Sequence, residues 1–224
     1  LYFRRIRFTR SILRNMLLIG FPAGIQSIMY TISNLIIQSA INGFGTDTAA
    51  AWAAYSKVDQ IFWMFINAFG IALTTFVGQN YGAGRPERAK KGVRTCTAIS
   101  AAGTFVIEAL FLLIGTEILR LFTTDAAVLD IGHAIIVCIV PWYISYIAIE
   151  LLSGAIRGTG KSLIPTIICI FGICVLRTAW IYVVPYITPT LEGVLWSYPL
   201  TWMITSLLFV IYYVKGHIYD RRYR

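Results

Sequence analysis

Charge is what this 224-residue sequence has least of. Asp, Glu, Lys and Arg make up 13% of it against 58% hydrophobic residues, and the mean hydropathy is +0.72. A soluble domain carries roughly 25% charged residues, so this chain cannot clothe a water-exposed surface of its size, and a membrane protein is the class to test. Cysteine is sparse as well. Cys96, Cys138, Cys169 and Cys174 lie inside apolar runs, form no CxxC pair, and with two histidines offer no zinc spacing; they read as small buried thiols, with no metal site expected. There is no HExxH, no GxSxG and no carboxylate cluster of metal spacing, so neither an enzyme nor a cofactor is expected. The basic start, apolar core and cleavage site of a signal peptide are missing, and the sequence opens on Leu1 rather than Met; it reads as a piece of something longer.

Apolar length is what the sequence has instead. Punctuated apolar stretches predict helices at about 16–43, 50–79, 92–122, 127–157, 161–186 and 193–215. Each reaches the roughly 20 residues that cross a hydrocarbon core. Backbone groups in lipid must be satisfied within the segment, so helices are the sensible choice. The expected fold class is all-α: a polytopic membrane protein with a six-helix bundle at 16–215, a basic segment before it at 1–15 and a basic tail at 216–224. The 80–91 connection is the one substantial loop expected.

The bases alternate in space. Residues 1–15, the 78–94 connection, the 157–162 turn and the C-terminal tail hold sixteen of the nineteen Lys and Arg. The opposite connections carry Asp47, Glu117, Asp125, Asp130 and Glu192, with Arg120 as their single base. By the positive-inside rule both ends of the chain are cytoplasmic, in a cell membrane. The net charge of +9 then reads as a topology signal and an anionic-lipid contact rather than a nucleic-acid patch. Tyr81, Trp142, Tyr143, Tyr182, Tyr186, Tyr212 and Tyr213 near the helix ends suit interfacial belts.

Polar residues inside the spans point to function or to packing between helices. Gln26, Tyr30, Asn34 and Gln38 recur every four residues, which puts them on one stripe of the first helix; they form a cavity wall or interhelical hydrogen bonds. Tyr143, Tyr146, Glu150, Ser153 and Arg157 share a face of the fourth helix, with Glu150 about 10 Å from its basic end. Glu150 either holds a cation or proton, or pairs with Arg157 or a base on another helix. On the second helix Lys57 and Asp59 stand about 200° apart and do not face each other; Arg177 is the candidate structural partner of Asp59. Glu108 and His133 have no partner legible in the sequence.

One motif is rejected. Ala155 to Ser162 fits the loose [AG]xxxxGK[ST] phosphate-binding pattern, but that loop needs a preceding strand inside a βαβ unit. Here it reads as a tight turn in which Gly158 and Gly160 break the helix and Arg157 and Lys161 anchor to the lipid surface.

Three segments together carry a family resemblance: Phe21-Pro-Ala-Gly-Ile-Gln-Ser27, Gly78-Gln79-Asn-Tyr-Gly82-Ala-Gly84-Arg-Pro-Glu-Arg-Ala89, and Ser153-Gly-Ala-Ile-Arg157-Gly158-Thr-Gly-Lys-Ser162. The sequence resembles the multidrug and toxic compound extrusion transporters. The resemblance implies one six-helix lobe, the C-terminal one, of a twelve-helix protein whose cleft lies between two lobes, with residues 1–15 as the interlobe linker. It implies a partner in the missing N-terminal lobe and a small organic substrate. It also implies export of drugs or toxins, often cationic, by alternating access against Na⁺ or H⁺. Relatives of the sodium-coupled branch carry carboxylates at the positions of Tyr30 and Tyr146. Their absence leaves two places for coupling, Glu150 one turn along or an acid of the missing lobe, and the second is favoured. Tyr30 and Tyr146, with Trp63 and Asn34, then offer aromatic and amide surface to a flat cation. The alternatives are a lipid-linked saccharide flippase of the wider superfamily, which calls for a more basic cavity, and a membrane scaffold without transport.

Overall fold

The structure, a computed structural model, describes residues 9–216 and 218–219. Six helices long and apolar enough to cross a membrane follow one another up and down: α1 Arg10–Asn42, α2 Thr46–Gly82, α3 Pro86–Leu119, α4 Ala126–Gly158, α5 Leu163–Ile187 and α6 Leu191–Lys215. The fold is an all-α multi-pass membrane bundle. One end gathers the α2–α3 and α4–α5 turns with the basic residues; the other gathers the acidic connections. The helices run further than the hydropathy predicts. The expected 80–91 loop shrinks to Ala83, Gly84 and Arg85, because α3 begins at Pro86, where a missing N–H costs nothing in the first turn. Residues 10–15 of the expected linker belong to α1; residues 1–8 lie outside the described residues. In the expected tail, Ile218 is buried and the Tyr219 hydroxyl meets that of Tyr213 at 3.1 Å, so this stretch folds back on the bundle.

Breaks in these helices are matched to particular partners. Pro22, inside α1, has no N–H to offer the carbonyl of Leu18. The hydroxyl of Ser162, in the α4–α5 turn, donates to that carbonyl at 3.1 Å. The Ser153–Ser162 motif is thereby tied to α1 one turn before Pro22. In α4, Pro141 imposes a 3₁₀ turn at Val140–Trp142. The N–H of Tyr143 then takes the Val140 carbonyl, which leaves the N–H of Ile144 without its usual acceptor. Glu108 of α3 accepts from it at 2.8 Å. A carboxylate at the start of a helical segment is also favoured by the helix dipole. The partner of Glu108 is thus a backbone amide, and His133 also has one: its Nδ1 lies 2.9 Å from the Thr116 hydroxyl. In α5, a π-helical turn spans Ile170–Val175.

Glycine sets the closest approach. A Cβ on Gly154 of α4 would stand 3.0 Å from the Gly70 carbonyl oxygen and 2.8 Å from the Thr74 hydroxyl of α2. One on Gly158 would stand 2.7 Å from the Thr74 carbonyl oxygen, and one on Gly78 3.4 Å from the Gly158 oxygen. Small residues four apart on both helices let the backbones meet, which replaces the hydrophobic drive that lipid removes. Gly158 is therefore a packing residue rather than a helix breaker, and it is the last residue of its helix. The turn is made by Gly160, whose φ of +88° suits glycine; Gly84, at +74°, does the same after α2. Around this seam the main core joins Tyr55, Phe62 and Ile66 of α2 to Tyr143 and Ile147 of α4 and Trp202 of α6. A smaller cluster ties Ile37 and Ile41 of α1 to Ile181 and Val184 of α5 and Val194 of α6.

Candidate functional site

A cavity of about 670 Å³ lies between α1, α2, α4, α5 and α6, within the size range of small-molecule sites. The four-residue stripe of α1 forms one wall: Gln26, Tyr30, Asn34 and Gln38 all line it. Gln26 accepts from Arg157 Nη2 at 3.4 Å, and Gln38 donates to Asn42 at 2.8 Å. From α4 come Tyr146, Glu150, Ser153 and Arg157, and from α2 Trp63. Beside Glu150 the facing position of α2 is Gly70, where any Cβ would run into its carboxyl group. The absence of a side chain at 70 is what gives the carboxylate room.

Asp59 and Arg177 also line the cavity, but they do not pair. Among the described residues the ion pairs are Lys90–Glu87 and Arg120–Glu117, both 2.7 Å long and within one turn of a helix. Asp59 is taken by other donors. Trp63 Nε1 reaches it at 2.6 Å and the Tyr55 hydroxyl at 3.4 Å, each one turn away on α2, and the Tyr143 hydroxyl donates from α4. Arg177 donates to Thr201 at 3.3 Å and lies over the Tyr198 ring, 4.2 Å from its centroid. Glu150 and Arg157 share the cavity wall without an ion pair as well. The wall thus holds two acids and two bases that are kept apart.

Tyr143 falls elsewhere than the sequence predicts. It neither lines the cavity nor sits at an interface: it is fully buried, stacked on Phe62 at 3.9 Å with the rings 1° from parallel. Its hydroxyl holds Asp59 from behind, so it positions a cavity carboxylate rather than meeting a ligand. Tyr81, also expected at an interface, is buried too. In the loop motif Gly78 packs against α4, Gly82 ends α2, Gly84 makes the turn, and Gln79 is exposed. The phosphate-loop pattern at 155–162 runs from helix into helix.

Sequence reasoning missed part of the wall: Trp52 and Ser56 of α2, Cys169 of α5, and Tyr198 and Trp202 of α6. The signal was present. Trp52, Ser56, Asp59 and Trp63 are spaced by four, three and four, the same face periodicity that exposed the α1 stripe. Trp63, Tyr146 and Trp202 meet edge to face, with centroids 4.7, 5.6 and 6.1 Å apart. Such a surface accepts flat and cationic groups.

Known proteins are similar to this chain in sequence and in fold. The sequence pattern of the MatE family matches residues 22–183. The chain is 27% identical over 211 residues to a Bacillus subtilis protein described as the probable multidrug resistance protein YoeA, covering 94% of this chain and 46% of that one. It is 28% identical to a Thermotoga maritima protein described as the probable multidrug resistance protein NorM, covering 73% and 35%. A solved structure of a MOP superfamily transporter from Pyrococcus furiosus superposes with a TM-score of 0.88 at 17% identity, covering 97% of this chain and 49% of that one; it shares the fold. The chain therefore spans about half the length of the Bacillus subtilis protein and of the Pyrococcus furiosus transporter. With the family pattern running from α1 to α5 and the bundle matching half of a transporter, the chain belongs to the MatE family, the multidrug and toxic compound extrusion transporters.

Proposed function

We propose that this chain forms one half of an exporter of small amphipathic organic compounds, driven by a gradient of Na⁺ or H⁺. The observation that carries the reading is the cavity itself. One lobe presents an amide stripe, an edge-to-face aromatic cluster and isolated charges on a single concave wall. The other half of the protein closes this wall into a cleft, and alternating access moves one half against the other. The basic end of the bundle faces the cytoplasm, with both ends of the chain on that side. Relatives described as multidrug resistance proteins agree with an organic cargo. A saccharide flippase is less well supported, because the bases of the wall are matched in number by its acids.

Coupling is assigned to an acid in the other half. Asp59 already accepts three hydrogen bonds, and Tyr30 and Tyr146 have no carboxylate to offer. Expressed as the whole protein in efflux-deficient cells, the transporter lowers ethidium accumulation, and collapsing the ion gradients abolishes the difference. Accumulation equal to an empty vector across a broad panel of dyes sinks the export reading. Glu150→Gln weakens transport less than neutralising the acid in the first helix of the other half; the reverse ranking moves coupling into this lobe.

A further inference from the structure

Arg177 has an environment that its neighbours among the described residues do not complete. It is 3% exposed and lines the cavity. About 15 Å of helix separates it from Ile187 at the end of α5, so it stands inside the span and out of reach of lipid phosphates. Its guanidinium carries five N–H donors. One of them reaches Thr201 Oγ1, at 3.3 Å, and that hydroxyl in turn donates to the Ser197 carbonyl at 2.6 Å. Nε is buried without an acceptor. No carboxylate pairs with it among the described residues. Asp59, the acid on the neighbouring wall, is held by Tyr55, Trp63 and Tyr143.

A buried guanidinium with empty donors is costly unless an anion satisfies it. Its planar fork matches the paired oxygens of a carboxylate, phosphate or sulfonate. Tyr198 beneath its plane holds that fork in place. Trp63, Tyr146 and Trp202 supply flat apolar surface in the same cavity, and Glu150 a carboxylate with no ion pair among the described residues. We infer that Arg177 is a subsite for an oxyanion carried by the substrate. The cavity then takes aromatic zwitterions, with the oxyanion on Arg177, the ring system against the tryptophans and the cationic end toward Glu150. This narrows the substrate class of the proposed exporter and rests on that reading.

The test uses a matched pair of dyes, tetramethylrhodamine and its methyl ester. They share a fluorophore and differ in whether the carboxylate is free. Binding to the whole transporter in phosphatidylcholine nanodiscs is followed by fluorescence anisotropy. Wild-type protein binds the free acid at least as tightly as the ester. Losing a charge-assisted hydrogen bond makes Arg177→Gln weaker for the free acid by about tenfold or more and leaves the ester within about threefold. Arg177→Lys, which keeps the charge without the fork, falls between. If the glutamine variant does not fold, the lysine variant and the wild-type ranking carry the test. Three results overturn the subsite: equal weakening of both dyes, which makes Arg177 a structural partner of a group in the other half; no weakening of the free acid; or wild-type binding of the ester alone. The last leaves export of plain cations standing. Binding of neither dye removes the subsite together with the organic-cation cavity it rests on.

Discussion

In α4, 56% of the most apolar window is buried inside the bundle; in α1, 6% is. Both helices cross the membrane and both contribute to the cavity, yet they are held by different means. Residues of α4 meet α2 backbone to backbone at Gly154 and Gly158, with Phe62 and Tyr143 stacked alongside. Contacts of α1 are lighter: the Ser162–Leu18 hydrogen bond at one end, the Arg157–Gln26 contact beside the cavity and the Ile37–Ile41 cluster at the other end. Two conclusions follow. Where lipid gives helices no hydrophobic reason to associate, small residues and buried polar bonds build the rigid part. A wall lined with amides that makes few internal contacts is the part left to face a ligand.

Substitutions that sharpen this contrast fall in a definite order. Asp59→Leu has the largest effect, because it strands the Trp63 and Tyr143 donors behind the cavity, at about 1–3 kcal/mol for each donor left buried and bare, while the Tyr55 hydroxyl keeps that of Tyr143 at 3.1 Å as a partner. Asp59→Asn retains an acceptor oxygen and loses much less. Thermal unfolding in detergent, followed by tryptophan fluorescence, ranks the two, and equal midpoints break the account of Asp59 as a structural acceptor. Gly154→Leu comes next, since the added side chain meets the Gly70 carbonyl and overpacks the α2–α4 seam by about 1–3 kcal/mol. The matching change on α1, Gly20→Leu, has nothing within 4 Å to meet and stays within about 0.5 kcal/mol of wild type. Similar losses in the two variants erase the distinction between seam and wall.

Glu108→Leu leaves the Ile144 amide without an acceptor at the break in α4, at about 1–2 kcal/mol. Glu108→Gln keeps a carbonyl oxygen in place and recovers most of the loss. Failure of glutamine to do better than leucine means the carboxylate acts by its charge. Ser162→Ala has the smallest effect, about 1 kcal/mol, through the freed Leu18 carbonyl. Its signature is local: hydrogen exchange rises around Pro22 and not in α4. Exchange that rises evenly across the bundle denies that this bond ties α1 to the α4–α5 turn.

Most of the architecture was legible because it follows from one-dimensional quantities. Span length, hydropathy and the side on which each base falls need no knowledge of contacts. The α1 stripe was legible for the same reason, since a period of four is a property of one helix. Reading failed where two helices decide together. Tyr143 shares a face with Tyr146 and Glu150, but it stacks under Phe62 of α2 and so leaves the cavity. Asp59 and Arg177 are a plausible pair by charge and depth, but local donors one turn away on α2 reach Asp59 first. Glu108 had no partner in the sequence because its partner is a backbone amide freed by a proline on another helix.

By itself, then, the sequence determined that this is a membrane bundle, how many times it crosses, which end is basic and which residues of α1 share a face. Composition and period act within a segment, and lipid enforces them on every segment separately. Only the tertiary structure decided which polar groups satisfy one another and which do not. That separates Asp59, held by three donors, from Arg177, buried beside a cavity with donors unused. Hydrogen bonds are short and directional, so the outcome turns on separations of a few ångströms between helices that no spacing along the chain contains.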